Sequence, residues 1–245
     1  MKKFMILGVL LLATFSFTIS ATAQVKSEID KVNKAGKVVF LVVSDGNKDI
    51  DNAKSIADKA SQSYSKSKVI TMDKNDKANS ALVTKFRLSG APMPLILVIA
   101  TNGFVAGGAP IQNLTADALV KMIPSPKEEG VIKAMNDGHS VFVVFSKKTD
   151  SKNKKQLDAC QTACSSMGDK AKTINVNIDD TKEKSFIAKF NIDNNATFPI
   201  TIVINNQGQV ASSFNGITEA KSLVTAAQKK VSSGCCPPGG GKTCK

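Results

Sequence analysis

The chain is poor in aromatic side chains: they make up 5% of 245 residues, with no tryptophan and a single tyrosine, Tyr64. Carbohydrate platforms and base-stacking surfaces lean on exposed rings, so this scarcity argues against both. There is one histidine, His139. Any centre that needs two or more imidazoles from this chain, such as a zinc-protease or facial-triad iron site, is excluded. Arginine is nearly absent. Arg87 is the only one, although lysine and arginine total 33 against 20 acids and the formal net charge is +13. Nucleic-acid readers favour the arginine fork for guanine and phosphate. Lysines scattered over both halves, with one local run at 147–155, read instead as a basic soluble surface, and no nucleic-acid partner is expected. After the leader no stretch approaches 18 apolar residues, so no transmembrane segment is expected.

What is present begins with a secretory leader pattern. Lys2 and Lys3 form a positive start, residues 5–14 an apolar stretch, and Ala21-Thr22-Ala23 a cleavage pattern that leaves Gln24 first. No cysteine follows the apolar run, which argues against a lipoprotein anchor. The expectation is an exported protein, periplasmic or extracellular after cleavage near Ala23, in a compartment where thiols oxidise or are held by metal. The remaining length suits two domains of about 100 residues. A composition of 42% hydrophobic and 22% charged residues gives each of them enough apolar surface for a core.

An internal repeat decides the architecture. Lys85-Phe86-Arg87-Leu88 matches Lys189-Phe190-Asn191-Ile192. Each is followed by a proline-led apolar run, 94–99 and 199–204, and then by a glycine turn, Asn102-Gly103 and Gln207-Gly208. Upstream, Gly36 and Gly138 each lead into an apolar β-branched run, at 38–43 and 141–145. Each half reads as alternating helices and strands closed by a hairpin and a last helix. The expected elements are 25–34, 37–43, 50–63, 68–72, 78–87, 94–100, 103–106 and 115–122. In the second half they are 127–136, 140–145, 152–167, 173–178, 181–190, 199–204, 208–213 and 218–231. The strands are apolar throughout, as in a sheet covered on both faces. Pro124-Ser125-Pro126 punctuates the join. The expected division is a leader at 1–23, domains at 24–124 and 125–232, and a Gly/Pro/Cys tail at 233–245.

This order resembles the thioredoxin-like superfamily, twice in tandem over about 200 residues. Phe86 to Gly103 and Phe190 to Gly208 carry the resemblance: an aromatic, a proline before a buried strand, and a tight hairpin. The fold class it implies is α/β, two tandem thioredoxin-like domains, each a central mixed sheet flanked by helices, with a cysteine-rich C-terminal tail. It also implies cis peptide bonds at Pro94 and Pro199, preceded by Met93 and Phe198. Pro92 is a rival in the first half, and the repeat alignment favours Pro94. The departure concerns activity. Thioredoxins carry Cys-x-x-Cys after the first core strand, where the next helix's dipole stabilises a thiolate. Here those loops are 44–49 and 146–151, and neither contains a cysteine. Standard thioredoxin activity is not expected.

All five cysteines lie in the second half. Cys160 and Cys164, four apart on an expected helix, share one face with Leu157 and Met167. They are matched to Ile56 and Ala60 of the first repeat. Three readings stay open: inert thiols packed on the sheet, a disulfide at Cα separations of about 6 Å that strains the helix, or two ligands of a soft metal. Cys235, Cys236 and Cys244 lie in a tail that two prolines stiffen and three glycines loosen. They suit a three-thiolate site for Cu(I), Zn or a thiophilic metalloid, a small-loop disulfide with a spare thiol, or a cross-link to another chain. The odd count itself flags a free thiol, an intermolecular bridge or metal ligation. In a thioredoxin-like fold the tail leaves the helix beside Cys160 and Cys164, so it is expected to be able to fold back over them.

Other features are weaker. His139 follows a glycine and reads as a turn residue. Asp45, Asp49 and Asp51 lack the terminal glutamate of a calcium loop. The run 239–243 lacks the spacing and the strand–helix setting of a phosphate loop. Met93 and Phe198 are candidates for lining a peptide groove. No catalytic residue is assigned. The expected function is soft-metal or thiol binding and transfer through Cys160, Cys164 and the tail. The alternatives are a thiol–disulfide oxidoreductase or redox-homeostasis protein acting through the tail, and a non-catalytic interaction module. The expected partner is another exported or thiol-bearing protein.

Overall fold

The computed structural model describes residues 24–46, 50–193 and 195–231. In the first domain, α1 (Gln24–Lys34) precedes β1 (Val38–Ser44), α2 (Ile50–Ser63) and β2 (Ser67–Asp73). A short 3-10 turn, Lys77–Asn79, runs into α3 (Ser80–Lys85). The hairpin β3 (Leu95–Ile99) and β4 (Val105–Pro110) and then α4 (Ala116–Lys121) complete it. The sheet order is β2-β1-β3-β4. β1 runs parallel to β2, which the α2 crossover requires. It pairs antiparallel with β3 through Val39–Ile99 to Val43–Leu95.

Every residue of β1 is buried because helices cover both sheet faces. Val39, Leu41 and Val43 pack with Ile29 of α1 and Leu82 of α3. Val38, Phe40 and Val42 pack with Ala53, Ala57 and Ala60 of α2 and Leu119 of α4. Strand alternation sends neighbouring residues to opposite cores. Each large apolar side chain removed from water in this way contributes about 1.5–3 kcal/mol.

The second domain repeats the plan. It consists of α5 (Pro126–Asn136), β5 (Ser140–Ser146), α6 (Lys152–Ser166), β6 (Ala171–Asn177), a 3-10 turn at Thr181–Glu183, α7 (Lys184–Lys189), β7 (Ile200–Ile204), β8 (Val210–Asn215) and α8 (Ala220–Gln228). The sheet order is β6-β5-β7-β8. Both domains have the thioredoxin-like fold. The cis peptide bonds among the described residues are Met93–Pro94 and Phe198–Pro199; the Pro92 bond is not among them.

The structure shifts some expected boundaries. The last strands begin later than 103 and 208, and run on to Pro110 and Asn215. A bulge sits at the same place in each hairpin, between Val98 and Ile99 and between Val203 and Ile204. The last helix is also shorter than 218–231, ending at Gln228. The join is four residues, 122–125. Ser125 caps α5, its hydroxyl accepting from the Glu128 amide at 3.3 Å. Buried Glu183 accepts from the Ser125 hydroxyl at 2.5 Å and from the Lys127 amide at 3.1 Å.

Candidate functional site

The carboxyl ends of β1 and β5 face the two cis-prolines, where a thioredoxin would keep its dithiol. In the first domain β1 ends on buried Ser44, followed by Asp45 and Gly46. Residues 47–49, with Asp49 of the weak calcium reading, lie outside the described residues. Met93 packs against the core that β1 shares with α1. In the second domain β5 ends on Ser146, 2% exposed, whose hydroxyl donates to Asn175 Oδ1 at 3.1 Å. The next residue, Lys147, holds its ammonium 5.1 Å from the centre of the Phe198 ring, a cation–π distance. Ile217 lies 50% exposed in the loop after β8, where Gly216 donates to the Pro199 carbonyl at 2.7 Å.

No cysteine stands at either pole among the described residues. The one imidazole also stands away from Ser146: His139 precedes β5 at its other end, and a seven-residue strand separates them by roughly 20 Å. A serine–histidine dyad is therefore out of reach.

The two described thiols are elsewhere. Cys160 and Cys164 lie on α6, packed against Phe142, Val144 and Val203 of the sheet and Leu223 and Ala226 of α8. Both are free and buried, Cys160 completely. Burial pushes the Cys160 thiol up to about 12, against a donated hydrogen bond from Gln156 that pulls it down. Gln156 Nε2 lies 3.6 Å from its sulfur. Cys164 Sγ lies 3.5 Å from Thr173 Oγ1. Protonated in a sealed core, Cys160 is neither a nucleophile nor a ready ligand. Among the described residues no three His, Cys, Asp or Glu side chains come together as a metal site.

The repeat match of these cysteines shifts by one residue. Buried Gln156, Cys160 and Ala163 correspond to buried Ala53, Ala57 and Ala60. The turns that follow agree, since Met167 donates to the Ala163 carbonyl as Tyr64 does to that of Ala60. Cys160 therefore answers to Ala57, not Ile56, and Cys164 to Ser61, not Ala60. Gln156 escaped notice in the sequence, although its signal was there: a polar residue on the apolar stripe. It is fully buried and accepts from the Thr218 amide at 2.7 Å, tying α6 to the start of α8.

Cys235, Cys236 and Cys244 lie outside the described residues. The point from which they extend is fixed. α8 ends beside the end of α6, around a cleft of about 500 Å³ lined by Met167, Lys170, Asn205 and Lys229. Asn205 Nδ2 donates to the Lys229 carbonyl at 3.1 Å. Gly138 and Ser140, before and at the start of β5, line the same cleft, so the described residues end at the pole opposite Pro199.

No protein-family profile and no curated protein matches the chain. Solved structures do. Thioredoxin-2, a component of the malaria parasite protein secretion machinery, is 14% identical over 36% of this chain and 79% of its own, with a TM-score of 0.30. StoA from Bacillus subtilis is 18% identical over 37% and 84%, at 0.30. The first two thioredoxin domains of Saccharomyces cerevisiae Eps1p are 9% identical over 84% and 96%, at 0.31. At these scores the neighbours carry no functional weight, and the fold rests on the strand order and pairing of the chain itself. Among the described residues no helix is long and apolar enough to cross a membrane.

Proposed function

We propose that the protein is an exported thiol-dependent binding protein. Its two thioredoxin-like domains are scaffold, and Cys235, Cys236 and Cys244 capture a soft metal, Cu(I) foremost, or exchange with a thiol-bearing partner. One observation supports this above the rest: the described thiols are sealed in a core, and no cysteine among the described residues stands beside either cis-proline. Accessible reactivity then falls to the tail, where three thiols lie within ten residues. Adjacent cysteines bridge each other only under strain, which favours sharing a metal.

The test uses the reduced mature chain. Native alkylation followed by intact mass adds three groups, and five after unfolding, matching the tail and total cysteines. Cu(I) competition against a chelator gives binding that the combined Cys235→Ser, Cys236→Ser and Cys244→Ser change abolishes and that Cys160→Ala leaves intact. Five groups added natively, or Cu(I) binding that survives the triple change, would sink the reading. Tail-dependent reduction of an insulin-type disulfide without metal binding would transfer the protein to the oxidoreductase class. A second reading, a non-catalytic interaction module, has its own support in exposed Ile217, which follows the Gly216 that donates to the Pro199 carbonyl. It predicts partner capture that persists when all five cysteines are serine.

A further inference from the structure

The two repeats differ sharply at one place in the first domain that no cysteine serves. The turn after the third helix of each domain places one residue in the left-handed region, Arg87 at φ 54° and Asn191 at φ 49°. Asparagine suits that conformation, whereas a long side chain is uncommon there. The first domain nevertheless places the only arginine of the chain at this position. The neighbouring lysine also differs between the two. Lys189 is ion-paired with Glu128. Its counterpart Lys85 donates to the Gly103 carbonyl at 3.3 Å and lies 5.3 Å from the centre of the Phe86 ring, with no ion pair among the described residues.

A cleft of about 270 Å³ opens here. It is lined by Lys85, Phe86, Arg87, Phe104, Val105 and, from the second domain, Asn136. Where the second repeat has an amide and a neutralised lysine, the first has two cations, two aromatic rings and, among the described residues, no lining carboxylate. The cleft sits at a domain junction, a common place for ligand sites.

We propose that this cleft binds a small organic carboxylate with a flat apolar body. The Arg87 guanidinium takes the carboxylate through its paired N–H groups, a geometry that lysine cannot supply. Lys85 spends one donor on Gly103 and has two left for the same anion. Phe86, Phe104 and Val105 receive the apolar body. The site is independent of the thiol reading above and survives its failure.

The probe is 3-phenylpropionate, with neutral 3-phenylpropionamide as its control, titrated into the full mature chain and followed by amide NMR. For a ligand of this size the expected dissociation constant is on the order of millimolar. Saturable shifts centre on Phe86, Arg87, Phe104, Val105 and Asn136, and the amide binds at least about tenfold more weakly. Arg87→Asn installs the residue the second repeat already uses, so the fold and melting temperature hold while affinity drops about tenfold or more. Lys85→Gln, at an exposed position, weakens binding by a few-fold and serves should the arginine variant not fold. Absence of saturable shifts at these residues, equal binding of the amide, or unchanged affinity in both variants overturns the proposal.

Discussion

A thiol raised by burial titrates against folding. The Cys160 thiol ionises near its ordinary value of 9.0 in the unfolded chain and at about 12 in the folded one. Below pH 9 it is protonated in both states and costs nothing. From pH 9 upward the unfolded state alone gains from ionisation, so stability falls between 9 and about 12. The measurement is a difference between the native chain and a variant without the sulfur. Denaturant unfolding across pH 8–11 should show a steeper alkaline loss for the native chain than for Cys160→Ala. The variant should fold, since alanine is what the first repeat carries at Ala57. An identical slope in both would mean that the sulfur is hydrated. Beside it, Gln156→Leu should cost about 1–3 kcal/mol, because the Thr218 amide loses its buried acceptor. Chemical denaturation at neutral pH reads this directly. The paired cysteines show why spacing alone left three readings open. A gap of four residues fixes a shared helix face, but not whether that face meets water or a sheet. Burial under α8 settles their surroundings, and only the three-dimensional packing of Leu223 and Ala226 supplies it.

At the level of elements, strands, helices and the join were legible because each has a local signature: apolar β-branched runs, prolines and turn glycines. The start of α5 shows how far this goes. Pro124-Ser125-Pro126 reads as punctuation, and Ser125 is a regular cap with proline at the first helical turn. What the local pattern cannot show is Glu183, 58 residues away, closing on the same serine. Ser125→Ala should therefore cost about 1–2 kcal/mol, more than Thr115→Ala, whose cap on α4 is solvent-exposed. Thermal or denaturant unfolding compares the two, and equal losses would deny Glu183 a part. The bulges in β4 and β8 were hidden for a related reason. A bulge adds one residue without changing composition, so a run of small and β-branched residues gives no sign of it. At Gly108 the same strand passes so close to β3 that an added Cβ would sit 2.5 Å from Leu97 Cδ2 and 3.0 Å from the Ile96 carbonyl. Gly108→Ala is expected to destabilise the domain by about 1–3 kcal/mol, visible as a lowered melting temperature.

Across the whole molecule the decisive contacts join domains that the sequence could only place in succession. The β3–β4 turn of the first domain docks on α5 of the second. Glu129 accepts from the Thr101 amide at 3.2 Å and from its hydroxyl at 2.6 Å, while Asn102 Nδ2 donates to the Glu129 carbonyl at 2.9 Å. Hydrogen bonds to a carboxylate are the stronger kind, and the four-residue join leaves little slack for an alternative arrangement. No periodicity links Thr101 to Glu129, so this clamp was invisible until the chain was folded. It also holds Asn136, on the same helix, against the cleft around Arg87. Glu129→Ala should leave each domain's own core intact, since none of those cores includes it. The domains should then sample wider orientations, seen as a larger radius of gyration in small-angle scattering and faster proteolysis in the 122–125 join. If the cleft depends on both domains, the same change weakens 3-phenylpropionate binding although no lining residue has been touched. A scattering profile identical to that of the native chain would mean that the join alone, and not the clamp, fixes the arrangement.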